Sequence, residues 1–128
     1  MAEIYVNLAS VYLRLMELDK ALECVEKARG LLGEKTDVKS IITKESIARV
    51  LMDLGEFDKS RGIYEELLGF LKTRADTAYR VVLMLVLNNY GYLELLMGNI
   101  HRAEEKFLEC LKMGRDFLDF GLGFRTYV

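Results

Sequence analysis

The chain has 128 residues, of which 52% are hydrophobic and 30% are charged, with a net charge of −2 at pH 7. This length suits one domain that buries about two thirds of the surface its unfolded form exposes. Acids and bases are scattered, which leaves no basic field for a phosphate backbone, so a nucleic-acid partner is not expected. Proline, the strongest helix breaker, is absent, and we predict an all-α fold.

Targeting and redox features favour a cytoplasmic protein. Glu3 stands where a signal peptide needs a basic flank, and no apolar core region follows it. The apolar run 81–87 is too short to span a bilayer and is interrupted by Asn88, so no membrane partner is expected. Cys24 and Cys110 lie on apolar helix stripes and are interpreted as buried free thiols, with a disulfide as the alternative.

Six helices are predicted in chain order from apolar residues spaced three and four apart. They cover about residues 2–15, 19–33, 37–54, 58–73, 76–97 and 100–117. Thr36 or Asp37 is expected to cap the third helix. The buried stripe of the first helix is predicted to comprise Tyr5, Leu8, Val11, Tyr12 and Leu15. That of the second comprises Ala21, Cys24, Val25, Ala28 and Leu32.

A helix-turn-helix unit recurs three times along the chain. Met16, Gly55 and Gly98 occupy the same position in its turn, 39 and 43 residues apart. The difference of four residues is about one helical turn, which lengthens the first helix of the third unit and nearly keeps its face. One domain over residues 1–128 is therefore predicted, with repeats 2–36, 37–75 and 76–118 and a partial helix 119–128.

Large and small apolar residues recur at matching places within the units. In the first unit they are Tyr5, Leu8, Ala9, Tyr12, Ala21, Val25 and Ala28, and in the third Leu87, Tyr90, Gly91, Gly98, Ala103, Phe107 and Cys110. This pattern resembles the tetratricopeptide repeat, and the spacing resembles a subgroup with repeats of about 40 residues. The resemblance implies a right-handed superhelix of three antiparallel helix pairs followed by a partial C-terminal helix.

Two positions depart from the family's pattern. Lys44 stands where a large apolar residue is expected, which predicts a looser or solvated entry turn in the second unit. Glu94 occupies the place that Tyr12 and Leu51 hold in the other units. A slight rotation of the longer helix is expected to expose Glu94, and the alternative is a buried carboxylate with a partner.

No set of residues argues for catalysis, so we predict neither an enzyme nor a cofactor. The single histidine, His101, lies in a turn, where a solvated or capping role is expected. Two separated cysteines and one histidine do not assemble a zinc site.

The resemblance implies a partner in the concave groove lined by the first helix of each pair. The predicted groove residues are Asn7, Ser10, Arg14, Glu45, Arg49, Met52, Asn88, Asn89, Tyr92, Leu95 and Leu96. Asn7 and Asn89 match the family's groove asparagine, whose amide can bridge a donor and an acceptor of a peptide backbone; helix capping or solvation is the alternative. The surface is half apolar, which favours a partner helix or an extended apolar peptide over an acidic tail.

We therefore predict a non-enzymatic adaptor or scaffold that binds a protein or peptide. The alternative is self-association, for example as a homodimer, through the apolar groove and an aromatic C-terminal segment. That segment contributes Phe120, Phe124, Tyr127 and Val128. It either folds back as a lid, continues into a longer array, or meets a second copy, because an uncapped terminal repeat exposes half a core.

Overall fold

The computed structural model describes residues 1–116, which form six α-helices and no strand. The helices are α1 (Ala2–Arg14), α2 (Leu18–Leu32), α3 (Val38–Asp53), α4 (Phe57–Leu71), α5 (Thr77–Leu96) and α6 (Ile100–Asp116). The predicted all-α repeat fold is confirmed, and each helix end lies within two residues of its predicted position. The handedness of the superhelix stays a prediction. The C-terminal segment with Phe120, Phe124, Tyr127 and Val128 lies outside the described residues.

The chain divides into two compact units, Met1–Leu67 and Leu68–Val128, with the boundary inside α4. In the first unit α1 packs against α2, and α3 packs against both. The Ser60 hydroxyl of α4 donates to the Ala48 carbonyl of α3 at 2.7 Å. In the second unit α5 packs along α6. One domain over the whole chain stays a prediction.

The turns inside the three helix pairs share one backbone conformation. Met16, Gly55 and Gly98 all have a left-handed backbone, with φ of 61°, 81° and 84°. In each turn the N–H of the following residue donates to the carbonyl five residues earlier, at 2.8 Å. This bond satisfies a carbonyl that the helix end leaves open, as in a Schellman motif. The matched turn positions are thus confirmed, with methionine in a conformation that favours glycine.

The two helices of the first pair contribute unequally to the core. All five residues predicted for the stripe of α2 are buried, whereas α1 buries Val6 and Ala9. The prediction for α1 was wrong for Leu8, Val11 and Leu15, which are 38%, 50% and 61% exposed. The fully buried positions of α1 are thus occupied by Val6 and Ala9, while the predicted Tyr5 and Tyr12 are half-buried.

Within the second unit, Gly91 of α5 lies directly against the Phe107 ring of α6. A Cβ atom placed on Gly91 would lie 2.8 Å from Cε1 and 3.0 Å from Cδ1 of the Phe107 ring. The backbone of Gly91 is helical and would suit any residue. Glycine is therefore required here by the lack of space for a side chain.

Glu94 is buried, with 1% of its surface exposed, so the prediction of exposure was wrong. The Asn99 side-chain amide donates to Glu94 Oε2 at 2.7 Å, and the Asn99 backbone N–H donates to the Glu94 carbonyl. A residue of the following turn thus supplies the partner that a buried carboxylate needs. The helix does not have to rotate to place this side chain in water.

The entry to α3 is fixed by two polar contacts. The Asp37 carboxylate accepts hydrogen bonds from the Ser40 hydroxyl at 2.6 Å and from the Ser40 backbone N–H at 3.2 Å. These bonds, the hydroxyl bond first, lower the pKa of Asp37. The capping role predicted for Asp37 is confirmed. Lys44 extends from α3 to the preceding loop, where its ammonium donates to the Lys35 carbonyl at 2.7 Å.

Both cysteines are free thiols, as predicted. Cys24 is buried, and half-buried Cys110 donates its S–H to the Met84 carbonyl at 3.3 Å. Burial raises the pKa of the Cys110 thiol. Among the helices within residues 1–116, none is both long enough and apolar enough to cross a membrane.

Candidate partner-binding surfaces

A cleft of about 170 Å³ separates the exposed sides of α1 and α3 in the first unit. Asn7 lies in it with an exposed side chain, and Lys39 pairs with Glu3 across the two helices at 3.2 Å. The cleft is lined by Glu3, Val6, Asn7, Ile42, Thr43 and Ser46. It presents an amide and hydroxyl groups beside two aliphatic side chains, a composition that can hold an extended backbone.

The remaining polar groove residues of α1 are accessible. Ser10 and Arg14 are both exposed. The Ser10 hydroxyl donates to the Val6 carbonyl at 3.3 Å, a local bond that leaves the oxygen's lone pairs available.

On α3 two of the predicted groove residues are buried. Glu45 is 0% exposed and Met52 is 5% exposed, so neither can present its side chain to a partner in this state. The burial has a physical reason for Glu45, because its Oε2 accepts hydrogen bonds from Arg49 Nε at 3.0 Å and from the Tyr64 hydroxyl at 3.3 Å. Burial, followed by the Glu45 charge, raises the pKa of Tyr64.

This buried carboxylate orients Arg49 on the surface. The Arg49 side chain is 53% exposed, and a second bond runs from its Nη2 to the Ser46 hydroxyl at 3.3 Å. One edge of the guanidinium is thus fixed by α3 itself. Of the groove residues predicted on this helix, Arg49 is the one whose side chain reaches solvent.

In the second unit the predicted residues lie on one side of α5. Asn88 is exposed, and Tyr92, Leu95 and Leu96 are 50%, 46% and 46% exposed. Asn89 is half-buried and interacts with a neighbouring group, so it is less accessible than its counterpart Asn7.

The apolar surface of α5 is longer than the sequence analysis predicted. Val81 and Leu85 are 47% and 40% exposed, and with Asn88, Tyr92, Leu95 and Leu96 they fall within an arc of about 100° on the helix. We call these six residues the α5 stripe. Helical spacing would have identified both residues, because Leu85 lies seven residues before Tyr92 and Val81 lies four residues before Leu85. In the sequence, the run 81–87 that contains them was interpreted only as a segment too short to span a membrane.

Residues 2–29, which span α1 and most of α2, match a family model described as Tetratricopeptide repeat. This match confirms the resemblance for the first helix pair. The subgroup with repeats of about 40 residues stays a prediction. No curated protein and no solved structure matches the chain.

Proposed function

We propose that this chain is an adaptor that binds a protein segment. The match of residues 2–29 to the tetratricopeptide repeat supports this proposal, because that repeat is typical of non-enzymatic interaction modules. The main binding surface lies on the exposed side of α5 in the second unit, and the α1/α3 cleft is a separate candidate surface in the first unit. The observation that carries the proposal is the α5 stripe. Exposed apolar patches rimmed by polar residues are typical of interaction sites.

The length of the α5 stripe suggests the size of the bound segment. Val81 and Leu96 are 15 residues apart, which is about 22 Å along a helix axis. That length matches about 15 residues of a partner helix or about 7 residues of extended chain. Asn88 lies in the middle, where its amide can donate and accept one hydrogen bond each.

The α1/α3 cleft offers a different kind of contact. Polar and apolar groups line it in about equal measure, and Asn7 contributes an exposed amide. An amide there can pair with both groups of one peptide unit, which favours an extended backbone over a helix in this part of the surface.

The proposal is tested by selecting 15-residue peptides from a random library on the full chain and measuring their affinity by calorimetry. The double variant Tyr92→Glu/Leu96→Lys places charges in the α5 stripe and is expected to weaken binding at least about 10-fold. Leu108→Lys is the control, because Leu108 is an exposed apolar residue, at 57%, that lies on α6 outside the α5 stripe. Equal affinity of the double variant and the parent chain would refute the proposed surface.

Self-association is the second candidate function, and a row of apolar residues on α1 favours it. Ile4, Leu8, Val11 and Leu15 are 57%, 38%, 50% and 61% exposed and recur three and four residues apart. A second copy could cover this row. Light scattering across a wide concentration range separates the two candidates: a monomer at all concentrations supports the adaptor. A dimer that Leu8→Glu/Val11→Glu dissolves supports self-association, as does one lost when residues 119–128 are removed.

A further inference from the structure

A second and larger cavity, of about 440 Å³, lies in the first unit between the C-terminal half of α2, α3 and α4. It shares no lining residue with the α1/α3 cleft. Its lining residues are Glu26, Arg29, Gly30, Leu32, Gly33, Glu34, Lys44, Ile47, Ile63, Glu66 and Leu67. We call it the Gly30 pocket.

Two sequence features keep this space open. Gly30 lies inside α2 without a side chain, and a Cβ atom built on it would meet nothing within 4 Å. Lys44 replaces the large apolar residue expected at its position and turns away to the Lys35 carbonyl. Neither side chain fills the volume between the helices, so the pocket stays open to solvent.

The walls of the Gly30 pocket divide into an apolar floor and an acidic rim. The floor consists of Leu32, Ile47, Ile63 and Leu67, each at most 8% exposed. The rim carries the carboxylates Glu26, Glu34 and Glu66. Two cations, Arg29 and Lys44, also line the pocket, which leaves one net negative charge. Arg29 pairs with Glu26 at 3.7 Å, and the Lys44 ammonium donates to the Lys35 carbonyl. An occupant with an apolar body and a cationic end complements such a pocket.

We propose that the Gly30 pocket is a second binding site, which takes a large apolar side chain and an adjacent lysine or arginine from a partner protein. Its volume falls within the range of about 300–1,000 Å³ that is typical of specific ligand sites. The apolar side chain contacts the floor, and the cation lies among Glu34 and Glu66. This site is independent of the α5 stripe and shares no lining residue with the α1/α3 cleft, so the two proposals can fail separately.

The proposal is tested by titrating the ¹⁵N-labelled full chain with two capped tetrapeptides and following amide chemical shifts. Acetyl-Gly-Phe-Arg-Gly-amide carries the proposed chemistry, and acetyl-Gly-Phe-Glu-Gly-amide keeps the apolar group but reverses the charge. We expect saturable shifts at Gly30, Gly33, Ile63 and Glu66 with the first peptide, with a dissociation constant of about 1 mM or below. The second peptide is expected to bind at least about 5-fold more weakly.

Variants separate occupation of the pocket from general adhesion. Gly30→Leu places a side chain in the open space and raises helix propensity, so the fold is retained while binding falls at least about 10-fold. Gly69→Leu is the matched control, because that glycine also faces open space but does not line the pocket. Glu34→Gln/Glu66→Gln should reduce the preference for the arginine peptide.

The proposal is overturned if several millimolar peptide gives no saturable shift, if the two peptides bind with equal affinity, or if Gly30→Leu binds as the parent does. The variant Tyr92→Glu/Leu96→Lys should bind the arginine peptide as the parent does. Loss of binding in that variant would assign the peptide to the α5 stripe and also overturn the proposal.

Discussion

Replacing Gly91 by alanine tests whether α5 and α6 are held at their distance by the absence of a side chain. In a helix interior, glycine to alanine normally stabilises by about 1 kcal/mol. At Gly91 the new Cβ would lie 2.8, 3.0 and 3.1 Å from three atoms of the Phe107 ring, so the whole ring must move. Such overpacking costs about 1–3 kcal/mol, which offsets or exceeds the gain in propensity.

Gly62→Ala in α4 is the matched control, since a Cβ there meets nothing within 4 Å and the residue is exposed. We expect the free energy of unfolding, measured by urea denaturation, to be about 1–3 kcal/mol lower for Gly91→Ala than for Gly62→Ala. The double variant Gly91→Ala/Phe107→Leu should recover part of this difference, because it removes the ring atoms in contact. Equal stabilisation by Gly62→Ala and Gly91→Ala would refute the steric argument.

Three further predictions concern single side chains. Met16→Gly should raise the urea midpoint, because relief of the left-handed backbone, about 1–2 kcal/mol, exceeds the added freedom of the unfolded chain, about 0.5–1 kcal/mol; a lower midpoint contradicts it. Asn99→Ala should lower the free energy of unfolding by about 1–3 kcal/mol, since the Glu94 carboxylate loses an amide donor, and an unchanged urea curve contradicts this. The pKa of Tyr64 is raised in the fold, so the stability it contributes is present below about pH 10 and lost above it. The difference in free energy of unfolding between the parent and Tyr64→Phe, measured by urea denaturation, should therefore be smaller at pH 11 than at pH 9. The same difference at both pH values would contradict the reasoning.

The helix bounds were predictable because their signals are local. Gly55 and Gly98 mark a left-handed turn, and Asp37 bonds to the residue three positions on, so a short stretch of sequence contains cause and effect. Met16 was placed by its spacing from these glycines. No more distant contact is needed to end these helices.

The errors arose where a side chain depends on a neighbour that spacing does not identify. Glu94 was expected in water, since helical spacing does not reveal its partner Asn99, which belongs to the next turn. Glu45 was expected on the groove, since spacing does not reveal its bond to Tyr64, which is 19 positions away. Leu8 fits a buried stripe by its spacing, yet smaller residues of α1 make the actual contact.

The Gly30 pocket was not predicted, although its signals were present. Lys44 was interpreted only as a departure from the repeat pattern, and no open space was predicted beside Gly30. The two positions are 14 residues apart in sequence, and only the packing of α2 against α3 brings them to one cavity. The effect of a glycine on a cavity becomes visible only when the positions of the surrounding helices are known.

The unequal burial of α1 and α3 implies that the first unit does not open all at once. Val6 and Ala9 are the buried residues of α1, whereas α3 buries nine of its 16 residues. Local opening requires less free energy where fewer apolar contacts must break. The backbone amides of α1 should therefore exchange with deuterium through a partial opening of the unit. Those of α3 should exchange only when a larger part of the unit opens. Opening of α1 alone would uncover part of α2, against which α1 packs, and with it a transient apolar surface.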